Sequence, residues 1–115
     1  MTMFRNLLIA FILALICTPV LAGMTTSELL QDCNSDANSF EQGACLGTIH
    51  AVAAVLIMNH YKTPDNGLTM CVTGNLSSDA TLQAFKNWAE RNPKELERES
   101  IIGVVSALRD TWPCK

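Results

Sequence analysis

The chain has 115 residues, eight of them basic and eleven acidic, for a formal net charge of −3 at pH 7, with 49% hydrophobic residues. That length holds one domain rather than two. The acidic balance argues against nucleic acid as a partner, because such binding rests on neutralising phosphates with Lys and Arg.

Residues 1–22, MTMFRNLLIAFILALICTPVLA, read as a cleaved secretory signal. Arg5 is the only charge ahead of an apolar run, and Val20-Leu21-Ala22 offers the short side chains that signal peptidase accepts, so cleavage is expected after Ala22. The run spans only about ten residues, against roughly 20 for a membrane-crossing helix. Ile16 before Cys17 is too bulky for a lipoprotein acceptor site. No later run is read as long enough to span, so the mature chain, residues 23–115, is expected to be one soluble domain without a membrane attachment. It keeps seven basic and eleven acidic residues, a net charge near −4, and four cysteines. A core of about 93 residues is small, and disulfides are a common remedy in oxidising compartments.

A first helix is predicted over residues 25–32, where Glu28 stands three after Thr25 in a capping-box spacing. A polar connection of residues 34–39 leads into a long helix from Phe40 or Glu41 to about Tyr61. Cys45, Ile49, Val52, Leu56 and Asn59 step along one face of it, and Ala53, Val55 and Ile57 widen that face, which predicts burial on several sides. Gly47, Ala51 and Ala54 leave room for a neighbouring helix to approach. The β-branched residues also fit a buried strand, but about twenty residues is a helix length. Lys62-Thr63-Pro64-Asp65-Asn66-Gly67 breaks the pattern and opens an irregular connection of about fifteen residues, a length that is uncommon and often functional. A third helix is capped at Ser77, Ser78 or Asp79 and runs to about Arg91, with Leu82, Phe85, Trp88 and Ala89 as its stripe. Asn92-Pro93-Lys94-Glu95 reads as the start of a fourth, carrying Leu96, Ile101, Val104, Val105, Leu108 and Trp112. Lys94, Glu95, Glu97, Arg98 and Glu99 form a solvated charged turn. The fold class is all-α, a small four-helix bundle.

Four cysteines allow three pairings. If the helices run up, down, up, down, Cys33 and Cys45 flank the first connection at one end, while Cys71 and Cys114 meet at the other. Any other pairing asks a bond to span the bundle, whereas Cα atoms in a disulfide lie roughly 6 Å apart. Cys33–Cys45 and Cys71–Cys114 are therefore expected, contributing about 3 and about 4 kcal/mol by loop entropy.

A catalytic or metal site is not apparent. His50 and His60 sit ten residues apart on one helix, about 15 Å along its axis and too far to share a metal. His60 lies in the last helical turn, where a cation is favoured. Paired cysteines leave no thiol nucleophile, and their spacing lacks the CxxC pairs of a zinc site. Glu95, Glu97 and Glu99 crowd an exposed turn. Neither a nucleophile elbow nor a phosphate-cradling glycine loop is present, so no cofactor is expected and an enzyme is disfavoured. What remains is recognition. Tyr61, Asp65, Asn66 and Asn75 have no periodic reason to be buried, and they are the partner-binding candidates. Asn75-Leu76-Ser77 also forms a formal glycosylation sequon.

The order of several segments resembles a known family. Cys45-Leu46-Gly47-Thr48-Ile49-His50-Ala51 opens the long helix, and Cys71-Val72-Thr73-Gly74 precedes a capped helix. Then come Asn92-Pro93-Lys94-Glu95-Leu96 and the terminal Ala107-Leu108-Arg109-Asp110-Thr111-Trp112-Pro113-Cys114. This is similar to the Rap/Tai family of type VI secretion immunity proteins, in which a C-x-G-[aromatic]-I-x-G segment, a C-x-x-G, a Pro-Glu helix start and a closing ALxxxFPC recur in this order. The chain departs from the pattern at Thr48, Ala51 and Val72, where the family has an aromatic, a glycine and often a proline. The resemblance implies an all-α periplasmic protein, often dimeric, that binds a peptidoglycan amidase effector and blocks its cleft sterically. Its matched residues are structural, so the partner-binding candidates rest on the loop argument alone. The alternative functions are a periplasmic acid-stress chaperone, or an inhibitor of another wall-active enzyme such as a lysozyme.

Overall fold

The computed structural model describes residues 1–3 and 23–115. The leader reading, including Cys17 and the cleavage point after Ala22, lies outside the described residues. Between residues 23 and 115 there are four α-helices and no strand: α1 Thr26–Cys33, α2 Phe40–Lys62, α3 Ser78–Arg91 and α4 Ser100–Thr111. Two 3-10 turns, Pro64–Asn66 and Pro93–Glu95, lie in the connections.

Local chemistry sets three of the four helix starts. Thr25 caps α1 in a reciprocal box: its hydroxyl accepts from the Glu28 amide at 3.2 Å, and the Glu28 carboxylate accepts from the Thr25 amide at 2.7 Å. Ser39 Oγ accepts from the Gln42 amide to start α2, and Ser77 Oγ accepts from the Ala80 amide to start α3. Each such cap contributes about 1 kcal/mol.

The fourth helix departs from the expectation. It begins at Ser100, not at Pro93, and Asn92 instead closes α3 by donating from Nδ2 to the Trp88 carbonyl at 2.8 Å. The reason is tertiary. The Thr26 and Ser27 amides donate to the Arg98 and Leu96 carbonyls, and the Ser100 amide donates to the Met24 carbonyl. Residues 24–27 thus clip across residues 96–100, with Thr25 and Glu99 bridged in antiparallel fashion. That pairing takes backbone groups a helix would have used. The charged turn of residues 94–99 overlaps it through the backbone of Arg98 and Glu99, while the Arg98 and Glu95 side chains pair at 2.6 Å.

Two disulfides close the structure, Cys33–Cys45 and Cys71–Cys114, as topology predicted. The core between them is Leu29, Ile49, Leu56, Met70, Phe85, Trp88, Val104 and Leu108, all buried. Here α2 differs from its reading. Cys45, Ile49, Val52, Ala53 and Leu56 are buried, but Val55 and Met58 are more than half exposed and Ala51 and Ala54 face outward. One side of α2 is covered, not several. Gly47 has no neighbour within 4 Å of where a Cβ would stand, so it admits no close helix within the described domain. The close approach occurs at Gly103 on α4, where a Cβ would lie 2.7 Å from Thr26 Cγ2. The expectation that no later run reaches spanning length is also corrected. α2 has 23 residues, and an 18-residue stretch of it reaches a mean hydropathy of 1.4, long and apolar enough to cross a membrane by length and composition. Its covered face packs against α1, α3 and α4.

Candidate functional site

The candidate site is the connection that follows α2, with the surfaces on either side of it. α2 ends at Lys62, and Pro64–Asn66 turns the chain. Gly67 then takes φ 73°, a left-handed conformation that glycine adopts without a Cβ clash. Asn66 works within the turn: Nδ2 donates to Thr63 Oγ1 at 3.1 Å, and Oδ1 accepts from the Leu68 amide at 2.9 Å. Asn59 Nδ2 reaches from α2 to the Leu68 carbonyl at 3.0 Å. Met70 plugs into the core beside α2, and the Cys71 amide donates to the Trp112 carbonyl at 3.0 Å. The Cys71–Cys114 bond then ties the segment to the end of the chain. The connection is tied to the rest of the fold at four points, through Asn59, Met70, the Cys71 amide and the disulfide, so the exposed side chains up to Cys71 stand on a held backbone.

Two grooves flank it. The first, about 530 Å³, lies between Asp65, Gly67 and Thr69 on one side and Ser106, Arg109 and Cys114 on the other. Its charges are mixed: Arg109 and Lys115 stand with Asp65 and Asp110. Asp110 also accepts from Trp88 Nε1 at 3.1 Å, which anchors α4 to α3. The second groove, about 330 Å³, is almost wholly apolar and runs between α2 and α4, lined by Ala51, Val55, Leu68, Ile101 and Val105. Leu68 faces one groove while Gly67 and Thr69 face the other. On the same two helices Met58 and Ile102 are also exposed. Several large apolar side chains on neighbouring elements, around a rigid loop, form the kind of surface that marks a binding site.

Of the residues named from sequence, Tyr61 is 79% exposed and stands edge-on to the His60 ring. Asp65 lines the mixed groove, and Asn66 spends its amide on the loop. Asn75 is exposed but lines neither groove; its neighbour Leu76 lies over a separate shallow depression with His50, Ala53 and Ala54. The structure therefore brings Asp65 and Asn66 together in one turn and leaves Asn75 apart. Val55, Met58, Leu68, Ile101 and Ile102 were not among the sequence candidates. Val55 and Ile101 carry the same apolar periodicity as core residues, and only the packing reveals that nothing in the described domain covers them.

The histidines are also placed. His50 is exposed on the flank of α2. His60 lies against the second disulfide, with Nδ1 3.4 Å from Cys71 Sγ and 3.8 Å from Cys114 Sγ. These three ligand atoms lie within 4.8 Å of one another. Joined as a disulfide, the two sulfurs are not thiolates, and thiolate is the form that binds zinc.

A family model for Rap1a immunity proteins matches residues 25–114. Comparison with curated proteins and with solved structures returns no match.

Proposed function

The chain belongs to the Rap1a immunity protein family, and from that premise we propose that it neutralises a type VI peptidoglycan amidase effector in the periplasm. The family itself implies an immunity protein that acts by binding a partner effector. The amidase, the compartment and the mode of inhibition are our reading. It rests on the resemblance of the cysteine framework and the terminal Trp-Pro-Cys, and on the leader-like residues 1–22. Inhibition proceeds by occlusion, with no chemical step. The stapled connection and its flanking apolar groove press on the effector and deny substrate its cleft.

The observation that carries the proposal is an apolar surface that no described residue covers, beside a connection tied to the fold at Leu68, Met70 and Cys71. Such a surface loses little conformational entropy on docking, which favours affinity. Val55, Leu68 and Ile101 supply the apolar centre, and Tyr61, Asp65 and Arg109 a polar rim, an arrangement common to interfaces. A self-paired dimer is compatible with the same surface, and its stoichiometry is read out by the same experiment.

The test is a toxicity rescue. A type VI peptidoglycan amidase, sought first in the reading frame next to the one that encodes this chain, is directed to the periplasm of a sensitive strain, with this chain co-expressed with or without residues 1–22. Rescue by the full chain and none by the chain without its leader is the expected pattern. Rescue that is independent of the leader counts against the periplasm, and no rescue with no co-purification counts against the amidase. If the chain instead exposes a dye-binding surface only on acidification, the stress-chaperone function gains.

A further inference from the structure

The two disulfides stand in different environments. Cys33 and Cys45 are both fully buried, at 0% exposure, so no external thiol reaches them in the folded state. Cys71 and Cys114 are half-buried, and Cys114 lines the groove between the connection and the end of the chain. An imidazole lies against this accessible bond alone, and His60 is nearer to Cys71 than to Cys114. His60 stands in the last turn of α2, and the occlusion described above does not use it.

We propose that Cys71–Cys114 is a thiol-exchange site whose reactant is a thiolate, with His60 as the positioning residue that directs the exchange. Thiol–disulfide exchange proceeds in line with the S–S bond and is faster when the departing sulfur is stabilised as a thiolate. The open side is the groove, where Cys114 is presented. Arg109 and Lys115 stand there with Asp65 and Asp110, so the wall that an approaching thiolate meets is mixed in charge. The incoming thiolate bonds to Cys114 Sγ, the Cys71–Cys114 bond breaks, and its electron pair departs on Cys71 Sγ. His60 stands 3.4 Å from that sulfur, close enough for a ring N–H to donate to the departing thiolate. With a dithiol, the second thiol attacks the mixed disulfide and releases Cys114. The two electrons come from the dithiol, which leaves as its own disulfide. Its two protons balance those on Cys71 and Cys114. The buried Cys33–Cys45 bond is untouched, so α1 and α2 stay joined while the connection loses one of its four ties. This inference is independent of the effector's identity.

The full oxidised chain is exposed to a limiting dithiol (dithiothreitol) or a monothiol (glutathione) at neutral pH. Samples are quenched by alkylation at intervals, and modified peptides are mapped by mass spectrometry. Cys71 and Cys114 are expected to react at least about tenfold sooner than Cys33 and Cys45. Glutathione is expected to leave its adduct on Cys114, and His60→Gln to slow exchange at this bond alone. A dithiol-only reaction identifies a dithiol as the reactant. Simultaneous reduction of both disulfides overturns the proposal, and that comparison needs no variant. An adduct on Cys71, or an unchanged rate in a folded His60→Gln protein, overturns the role given to His60.

Discussion

At the scale of single residues, the tightest fit is between Thr26 and Gly103. Thr26 is wholly buried, its hydroxyl donates to the Arg98 carbonyl at 3.0 Å, and its side chain lies over Gly103. That contact seats α1 on α4. The atoms in the way belong to a β-branched side chain on a hydrogen-bonded backbone, so they cannot swing clear. Gly103→Ala should destabilise the protein by about 2 kcal/mol, a fall of roughly 8–16 °C in melting temperature for a domain of this size. Thermal unfolding followed by circular dichroism measures it. Gly47→Ala on open helix surface should be neutral or slightly stabilising in the same assay, by up to about 1 kcal/mol. The sequence singled out Gly47 and passed over Gly103. Nothing in residue spacing says which glycine another chain segment crosses.

At the scale of elements, α1, α2 and α3 were legible because their caps are local. Thr25 with Glu28, Ser39 and Ser77 each announce a helix within four residues. The start of α4 was not legible. Asn92 and Pro93 carry strong start chemistry, yet the backbone of residues 96–100 pairs with residues 24–27, some seventy positions away in sequence. Likewise, the apolar girdle of α2 predicts how much surface needs cover, not whether this chain supplies the cover. The uncovered face gives a prediction of its own. Val55→Asp and Ile101→Asp, at 56% and 50% exposure, should leave the melting temperature nearly unchanged, within roughly 0.5 kcal/mol. The same changes should weaken effector binding by at least about tenfold, or 1.4 kcal/mol. Calorimetric titration alongside thermal unfolding separates the two effects.

At the scale of the whole molecule, two staples divide the work. One joins α1 to the second turn of α2, and the other lies beside His60 in its last turn, about 22 Å further along the helix. The pairing was legible because only one arrangement keeps each bond at one end of an antiparallel bundle. Cys71→Ser with Cys114→Ser should cost up to about 4 kcal/mol by the loop-entropy model, read from urea unfolding. The domain should remain helical, since the core and the Cys33–Cys45 bond persist. Effector affinity should fall as well, because the connection between α2 and α3 is no longer fixed at its far end. On the proposed function, this fixed surface, rather than any reaction, neutralises a cell-wall amidase. Titrating the purified chain into the partner amidase while following peptidoglycan cleavage tests that most directly. Stoichiometric loss of cleavage, reversed by Val55→Asp or Ile101→Asp, is expected. Undiminished cleavage at saturating chain would contradict it.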